Sequence, residues 1–250
     1  MKKETFIIVI PAYNEEGCIS NVASSWMNIV KRYPGSEMLV INDGSKDKTG
    51  EKLEKLKEKY RQLRVIHKKN EGHGATVMKC YEEAVKMGHT WIFQTDSDNQ
   101  HSPKDFNKLW SNRHKSDFIL GYRLKRDDSL TRLVISKIVF FYNLFIFGAH
   151  IKDANIAYRL IKSDYLRRLL KVLPKNLFAP NIFLSILAVK DGQNTVNIAV
   201  KHKARKTGQL SIYRWKLLRA CIRVFIELSL FRLRLHSMIK ALNKDNIKNA

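Results

Sequence analysis

Asp96 and Asp98 stand one residue apart in the stretch TWIFQTDSDNQHSP, residues 90–103, at the end of an apolar run. Alternate residues of an extended segment point the same way, so the two carboxylates would converge. Converging carboxylates repel unless a cation joins them, and an all-oxygen pair suits Mg²⁺ or Mn²⁺. Neither ion needs a full protein cage, because substrate phosphates and water usually complete its shell. Gln100 could orient a ligand or a water, and His101 could contribute at the rim. A diphosphate held by such a cation is a good leaving group, since the metal stabilises the charge that develops as the bond breaks. Taken alone, D-x-D before Pro103 is better read as a capped, solvated turn.

Three further polar clusters change that weighing: PAYNEE at residues 11–16, NDGS at 42–45 and EGHGA at 71–75. Singly, each is a turn or a helix entry. Together they suit a nucleotide. The turn of Pro11, Ala12, Tyr13 and Glu15 could hold a base ring, and Asp43 could accept hydrogen bonds from a ribose or base. Gly72 and Gly74 would let the backbone approach a ligand closely.

Each cluster follows an apolar segment that must position it. Phe6 to Ile10 (FIIVI) is a continuous β-branched and aromatic run, as expected for a strand buried on both faces. A helix is expected from after Asn14 to Tyr33. Met38 to Ile41 gives a second strand, and Asp47 can cap a charged helix over Lys48 to Tyr60. Leu63 to Ile66 is a third strand. A helix after Gly74 would bury Val77, Met78, Tyr81, Ala84 and Val85, and Trp91 begins a fourth strand. Strands alternating with helices predict a mostly parallel α/β sheet with helices on both faces. Ligands of such sheets bind beyond the carboxyl ends of the strands, where all four clusters would fall.

The second half reads differently. RLVISKIVFFYNLFIFGAHI, from Arg132, is helical in length and very apolar, with Arg132, Ser136 and Asn143 on one stripe. It fits a core helix with a polar edge, or a helix lying on a membrane with that stripe toward the active site. In YRWKLLRACIRVFIELSLFRLRL, Lys216, Arg219, Arg223, Glu227 and Arg234 fall on one side, against Trp215, Leu218, Ile222, Phe225, Ile226 and Phe231. A wide apolar face with cationic borders fits an interfacial helix or one docked on a partner. The polar tail after Asn243 is expected to fray.

Lys and Arg number 46 against 23 Asp and Glu, a net charge of +23 that favours polyanionic partners. A specific nucleic-acid binder is disfavoured, because no zinc-finger spacing or aromatic RNP-type strand is present. The three cysteines, Cys18, Cys80 and Cys221, form no C-x-x-C pair and fit a reducing compartment. With no signal-peptide pattern and no apolar run of spanning length, the chain is expected to stay in the cytoplasm, peripheral on the inner membrane face.

In order and spacing, PAYNEE, NDGS, EGHGA and DSDNQH resemble the family 2 glycosyltransferases of the GT-A fold. Within them the chain is similar to the polyprenyl-phosphate glycosyltransferases, the group that contains dolichol-phosphate mannose synthase. GYR at Gly121 to Arg123 and R-x-x-x-S at Arg132 and Ser136 share that group's pattern. So does DANIAYR, with Asp153 and Arg159, although Asn155, Ile156 and Ala157 stand where the group has a small residue and Gly. Arg205 and Gly208 match an R-x-x-G-x-S-K motif, with Leu210 and Ser211 in place of its Ser and Lys. The resemblance implies a catalytic domain over 1–210, including an apolar interfacial helix at 130–148, and an amphipathic helix with a polar tail over 211–250.

It also implies an inverting transfer of a sugar from GDP-mannose or a UDP-hexose to a polyprenyl or dolichyl phosphate at the cytoplasmic membrane face. On this reading Asp98, Gln100, Asp153 and Arg123 are catalytic. Pro11, Ala12, Tyr13, Glu15, Asp43, Gly72, Gly74 and Asp96 bind the donor, and Asp96, Asp98 and Gln100 hold Mg²⁺ or Mn²⁺. Arg123, Arg132, Ser136 and Arg205 bind the acceptor phosphate, for which an arginine fork is well suited. Expected partners are the donor, the lipid acceptor, an anionic membrane surface and a small membrane protein. The alternative is transfer to a glycan hydroxyl in cell-surface polysaccharide synthesis, which needs a general base that the Asp153 region could supply.

Overall fold

The computed structural model describes the backbone of residues 4–124, 130–203 and 214–249, and the side chains of 4–124, 137–203 and 219–244. Among the described residues seven strands form one sheet. They are β1 (Phe6–Ala12), β2 (Glu37–Asp43), β3 (Leu63–Lys68), β4 (Trp91–Thr95), β5 (Phe118–Arg123), β6 (Tyr158–Lys162) and β7 (Val196–Val200). Their order is β3-β2-β1-β4-β6-β5-β7. All run parallel except β6, which pairs antiparallel with both β4 and β5.

The continuous apolar runs have a simple cause. Ile7 and Val9 enter the core on one face of the sheet, while Phe6, Ile8 and Ile10 enter the core on the other. β2 divides likewise, with Leu39 and Ile41 opposite Met38 and Val40. One face is covered by α1 (Ile19–Val30), α2 (Thr49–Lys59) and α4 (Phe106–Ser111), through residues such as Trp26, Leu53 and Phe106. The other is covered by α3 (His73–Lys86), α6 (Ser163–Val172) and α7 (Pro180–Lys190). Each large apolar side chain enclosed in this way contributes about 1.5–3 kcal/mol.

The first helix begins later than its sequence suggests. Asn14 adopts φ 52°, and Glu15 O accepts from the Cys18 and Ile19 N–H groups, so a turn precedes α1. Asp47 does serve the start of α2, accepting from Thr49 N at 3.0 Å.

The last two long helices combine core and surface roles. In α5 (Leu130–Phe147) Asn143 is fully buried, while Phe141 and Phe145 are exposed. Asn143 therefore leaves the polar stripe assigned to it, and neither of its amide atoms has a hydrogen-bond partner. α8 (Arg214–Asn249) buries Val224, Leu228, Phe231, Leu235, Met238 and Leu242, a stripe at helical spacing, in the core beneath α6 and α7. Phe231, expected on the outer apolar face, is part of that stripe. Ile222, Ile226, Leu230 and Leu233 remain exposed. α5 and α8 meet where Tyr142 stacks edge-on to Phe225 and bonds Ser229 at 3.0 Å. α8 extends to Asn249, beyond the Asn243 after which fraying is expected. Among the described residues no helix is long and apolar enough to cross a membrane.

Candidate active site

The ends of β1 to β4 open into one cleft of about 910 Å³. Pro11, Ala12, Tyr13, Glu15, Asp43, Gly72, Gly74, Asp96 and Asp98 all line it, so the four polar clusters do share one sheet edge. The four preceding strands are parallel, so their carboxyl ends reach the same edge.

Asp96 follows the last residue of β4 and is half-buried, with its Oδ1 enclosed and without a hydrogen-bond partner. Burial pushes its carboxyl up to about 6, and the charges of Asp98 and Glu15 add to that, while His73 and Arg123 oppose it. Asn99, at φ 59°, turns the chain so that Asp98 Oδ1 accepts from Gln100 N at 3.0 Å. An unpartnered carboxylate oxygen beside a second carboxylate fits a divalent cation. No cluster of three or more His, Cys, Asp or Glu of metal-binding arrangement occurs among the described residues. The described residues of the cleft thus offer two carboxylates, and phosphate and water would complete the shell of a bound cation.

Other side chains differ from their sequence readings. Gln100 donates its amide to Lys203 O at 3.0 Å and does not line the cleft, so its placement in the metal set finds no geometric support. His101 is not at a rim. It is buried against Tyr158 and His202, and burial, then His202, pushes its ring down to about 3, leaving it neutral. Asp43 has its carboxylate engaged within the protein, accepting from Lys68 Nζ at 2.5 Å, Glu71 N at 2.9 Å and Gly72 N at 3.0 Å. Its observed work is to hold the EGHG turn.

That turn delivers the start of α3 to the cleft. Gly72 has φ +92°, which disfavours other residues. Gly74 permits a close approach, but to the chain itself: a Cβ there would lie 2.2 Å from Leu177 O and 2.5 Å from Phe178 O. The unpaired N–H groups that open a helix suit an anion such as a diphosphate. Cys18, which carried no signal in the sequence, lies between two of the clusters. Its Sγ is 3.1 Å from Glu15 Oε2 and 3.2 Å from Ser97 O.

On the far side of β4, Arg123 and Asp153 form a two-pronged pair at 2.7 and 3.0 Å. Arg159 takes no part in it. Fully buried, it donates to Ile156 O, Ala154 O, Asn181 O and Ser185 Oγ, fastening residues 154–156 to α7. Loop 176–179 and Arg223 also border the cleft and were missed in the sequence. Arg223 bonds Asn176 O at 3.3 Å and Glu227 at 2.8 Å, and Glu227 accepts from Phe178 N at 2.9 Å, so α8 grips this loop. Arg132 and Ser136 lie within α5, but their side chains, and all of Arg205, fall outside the described residues.

This sheet order with one reversed strand and a cleft at the strand ends is a GT-A architecture. The structure resembles glucosyl-3-phosphoglycerate synthase of Mycobacterium tuberculosis, solved with Mn²⁺, UDP and glucosyl-3-phosphoglycerate. The TM-score is 0.68 over 92% of this chain and 80% of that one, at 18% identity, a likeness of fold. Residues 7–170 match the model of Glycosyl transferase family 2, and the chain belongs to that family. Among curated relatives, polyprenol monophosphomannose synthase of Mycolicibacterium smegmatis is 24% identical over 81% of this chain and 78% of its own. Undecaprenyl-phosphate mannosyltransferase of Micrococcus luteus is 21% identical over 81% and 85%. A UDP-N-acetylglucosamine–dolichyl-phosphate N-acetylglucosaminyltransferase of Methanococcus voltae is 23% identical over 80% and 86%.

Proposed function

We propose that this glycosyltransferase moves a sugar from a nucleotide-sugar to a polyprenyl phosphate at a membrane surface. The observation that carries the donor half is the unpartnered, buried Asp96 oxygen beside Asp98, in the same cleft as the Gly72–Gly74 helix entry. Asp96 and Asp98 would hold Mg²⁺ or Mn²⁺, whose chemistry is to offset charge on the departing nucleoside diphosphate. Pro11, Ala12, Tyr13 and Glu15 form the neighbouring wall of the cleft and would receive the nucleoside. The structurally similar synthase binds Mn²⁺ and UDP, which supports the same class of donor.

The acceptor half rests on the relatives, whose names carry polyprenol, undecaprenyl phosphate or dolichyl phosphate. It is supported by the apolar residues that α5 and α8 expose, which suit a bilayer surface. An oxygen of the lipid phosphate attacks the anomeric carbon as the bond from that carbon to the diphosphate oxygen breaks. The electron pair leaves with the nucleoside diphosphate, and attack from the opposite face inverts configuration. A phosphate is already ionised at neutral pH, so no strong base is required. Arg123 would receive it, as the family resemblance implies, and its two-pronged pair with Asp153 would fix its orientation. The same pair disfavours the glycan-hydroxyl alternative, because both Asp153 oxygens are bound to the guanidinium that the base would have to leave.

The test offers radiolabelled GDP- and UDP-sugars to the folded protein with polyprenyl phosphate and Mg²⁺ or Mn²⁺ in detergent. A lipid-extractable labelled product is expected from one donor. Its absence with every donor, while a glycan acceptor is labelled, refutes the acceptor assignment.

A further inference from the structure

A second hollow lies apart from the cleft, where the ends of α5 and α7 meet the middle of α8. Phe147, Lys190, Arg232, Leu235, His236 and Ile239 enclose about 250 Å³. We propose that it binds the phosphate headgroup of an anionic phospholipid of the bilayer, a site separate from that of the acceptor. The inference rests on the membrane-seated reading above and gives it a specific lipid contact.

Three observations carry it. The polar part of the lining is basic, with Lys190, Arg232 and His236 and no carboxylate. These side chains are nearly unused by the protein. Arg232 Nε donates to Ile146 O at 3.1 Å, while Lys190 and His236 make no ion pair or hydrogen bond among the described residues. The apolar part, Phe147, Leu235 and Ile239, suits the glycerol and upper acyl region of a lipid and offers nothing to a hydrated inorganic anion.

The immediate chain neighbours of the lining strengthen the choice of source. Phe145 is 76% exposed, Ile146 42% and Leu233 81%. A headgroup in the hollow would therefore have its chains beside apolar surface. A plainer role exists for the two cations, since Arg232 and Lys190 sit at the C-terminal end of α5, where positive charge is favoured. Lys190 Nζ lies 3.4 Å from the position a Cβ on Gly148 would take. That role accounts for one N–H of Arg232 and leaves the other donors of its fork for a ligand.

The full chain should be tested by co-sedimentation with vesicles of phosphatidylcholine and of phosphatidylcholine mixed with phosphatidylglycerol. Lys190→Gln/Arg232→Gln should weaken binding to the anionic vesicles about thirtyfold, from two cations near a charged surface. Lys190→Glu, which keeps the Arg232 bond to Ile146, should weaken it comparably. Arg234→Gln/Lys240→Gln, an equal charge change on α8 outside the hollow, should cost clearly less than the double change within it. Binding to phosphatidylcholine alone should be unaffected. Equal losses in all variants would mean a diffuse basic surface and overturn the site. Displacement of the vesicles by inorganic phosphate at constant ionic strength would make it a soluble-anion site and overturn the lipid assignment. Sugar transfer to a short-chain polyprenyl phosphate in detergent should be unchanged in the variants, which separates failure of this site from failure of the proposed reaction.

Discussion

Asp96→Asn should make the metal-free protein more stable at neutral pH while abolishing its activity. The Asp96 carboxyl is raised from 3.8 to about 6 in the folded chain, chiefly by burial. The folded state therefore holds this proton more tightly than the unfolded state does. Between these values the folded chain binds more protons, so stability falls as pH rises, and the full cost is present above the folded value. The gap converts to about 3 kcal/mol. Interaction with Asp98 and the partial solvent access of Asp96 reduce the expectation to about 2 kcal/mol. Asparagine cannot ionise and escapes this cost. Any constant effect of the new amide cancels when two pH values are compared. In EDTA, the melting temperature of Asp96→Asn relative to the parent should rise by roughly 5 °C between about pH 4 and about pH 7.5. Scanning fluorimetry reads this directly. A difference that does not change with pH would show that no carboxylate is being penalised in the empty cleft, and the case for a cation there would lose its main physical support.

The remaining predictions concern the same cleft. Asp98→Ala should lower transfer at least about a hundredfold, with the far-ultraviolet circular dichroism spectrum unchanged. Arg123→Gln should cost about 1–3 kcal/mol in denaturant unfolding, because it removes two charge-assisted hydrogen bonds from the buried Asp153, and it should raise KM for the lipid acceptor. Asp153→Asn distinguishes the acceptors: a phosphate acceptor leaves residual turnover, whereas a hydroxyl acceptor predicts loss of kcat with donor binding retained. Gly74→Ala drives a methyl into the carbonyls of residues 177 and 178 and should cost about 1–3 kcal/mol, together with weaker donor binding in a thermal-shift titration.

The donor side was legible in the sequence because it is local. Each donor cluster immediately follows a parallel strand, and parallel strands deliver their ends to one edge whatever the packing around them. What escaped depends on contacts distant in sequence. Lys68 neutralises Asp43, Arg223 reaches Asn176 O from α8, and Cys18 bridges the first and fourth clusters. No spacing rule encodes such encounters. His101 was misplaced for a related reason. Its neighbours in sequence are polar, but the isolated bridge to His202 carries it into a buried position beside Tyr158. Arg159 shows the opposite error. An arginine in a functional motif invites a ligand, yet this one spends its donors on backbone carbonyls and a serine. For α8 the sequence revealed amphipathicity but not which apolar residues face inward, because both sides of the helix carry them.

That last ambiguity has a practical side. A biochemist wanting a detergent-free preparation would be tempted to cut the chain before residue 214 and discard the greasy terminal helix. The buried stripe from Val224 to Leu242 makes this the wrong cut, since it would strip the cover from α6 and α7 and release the loop that Glu227 and Arg223 hold. The helix is better kept and repainted. Polar replacements at Ile222, Ile226, Leu230 and Leu233 alter only exposed positions, and they would give a reagent in which donor chemistry can be measured without a bilayer.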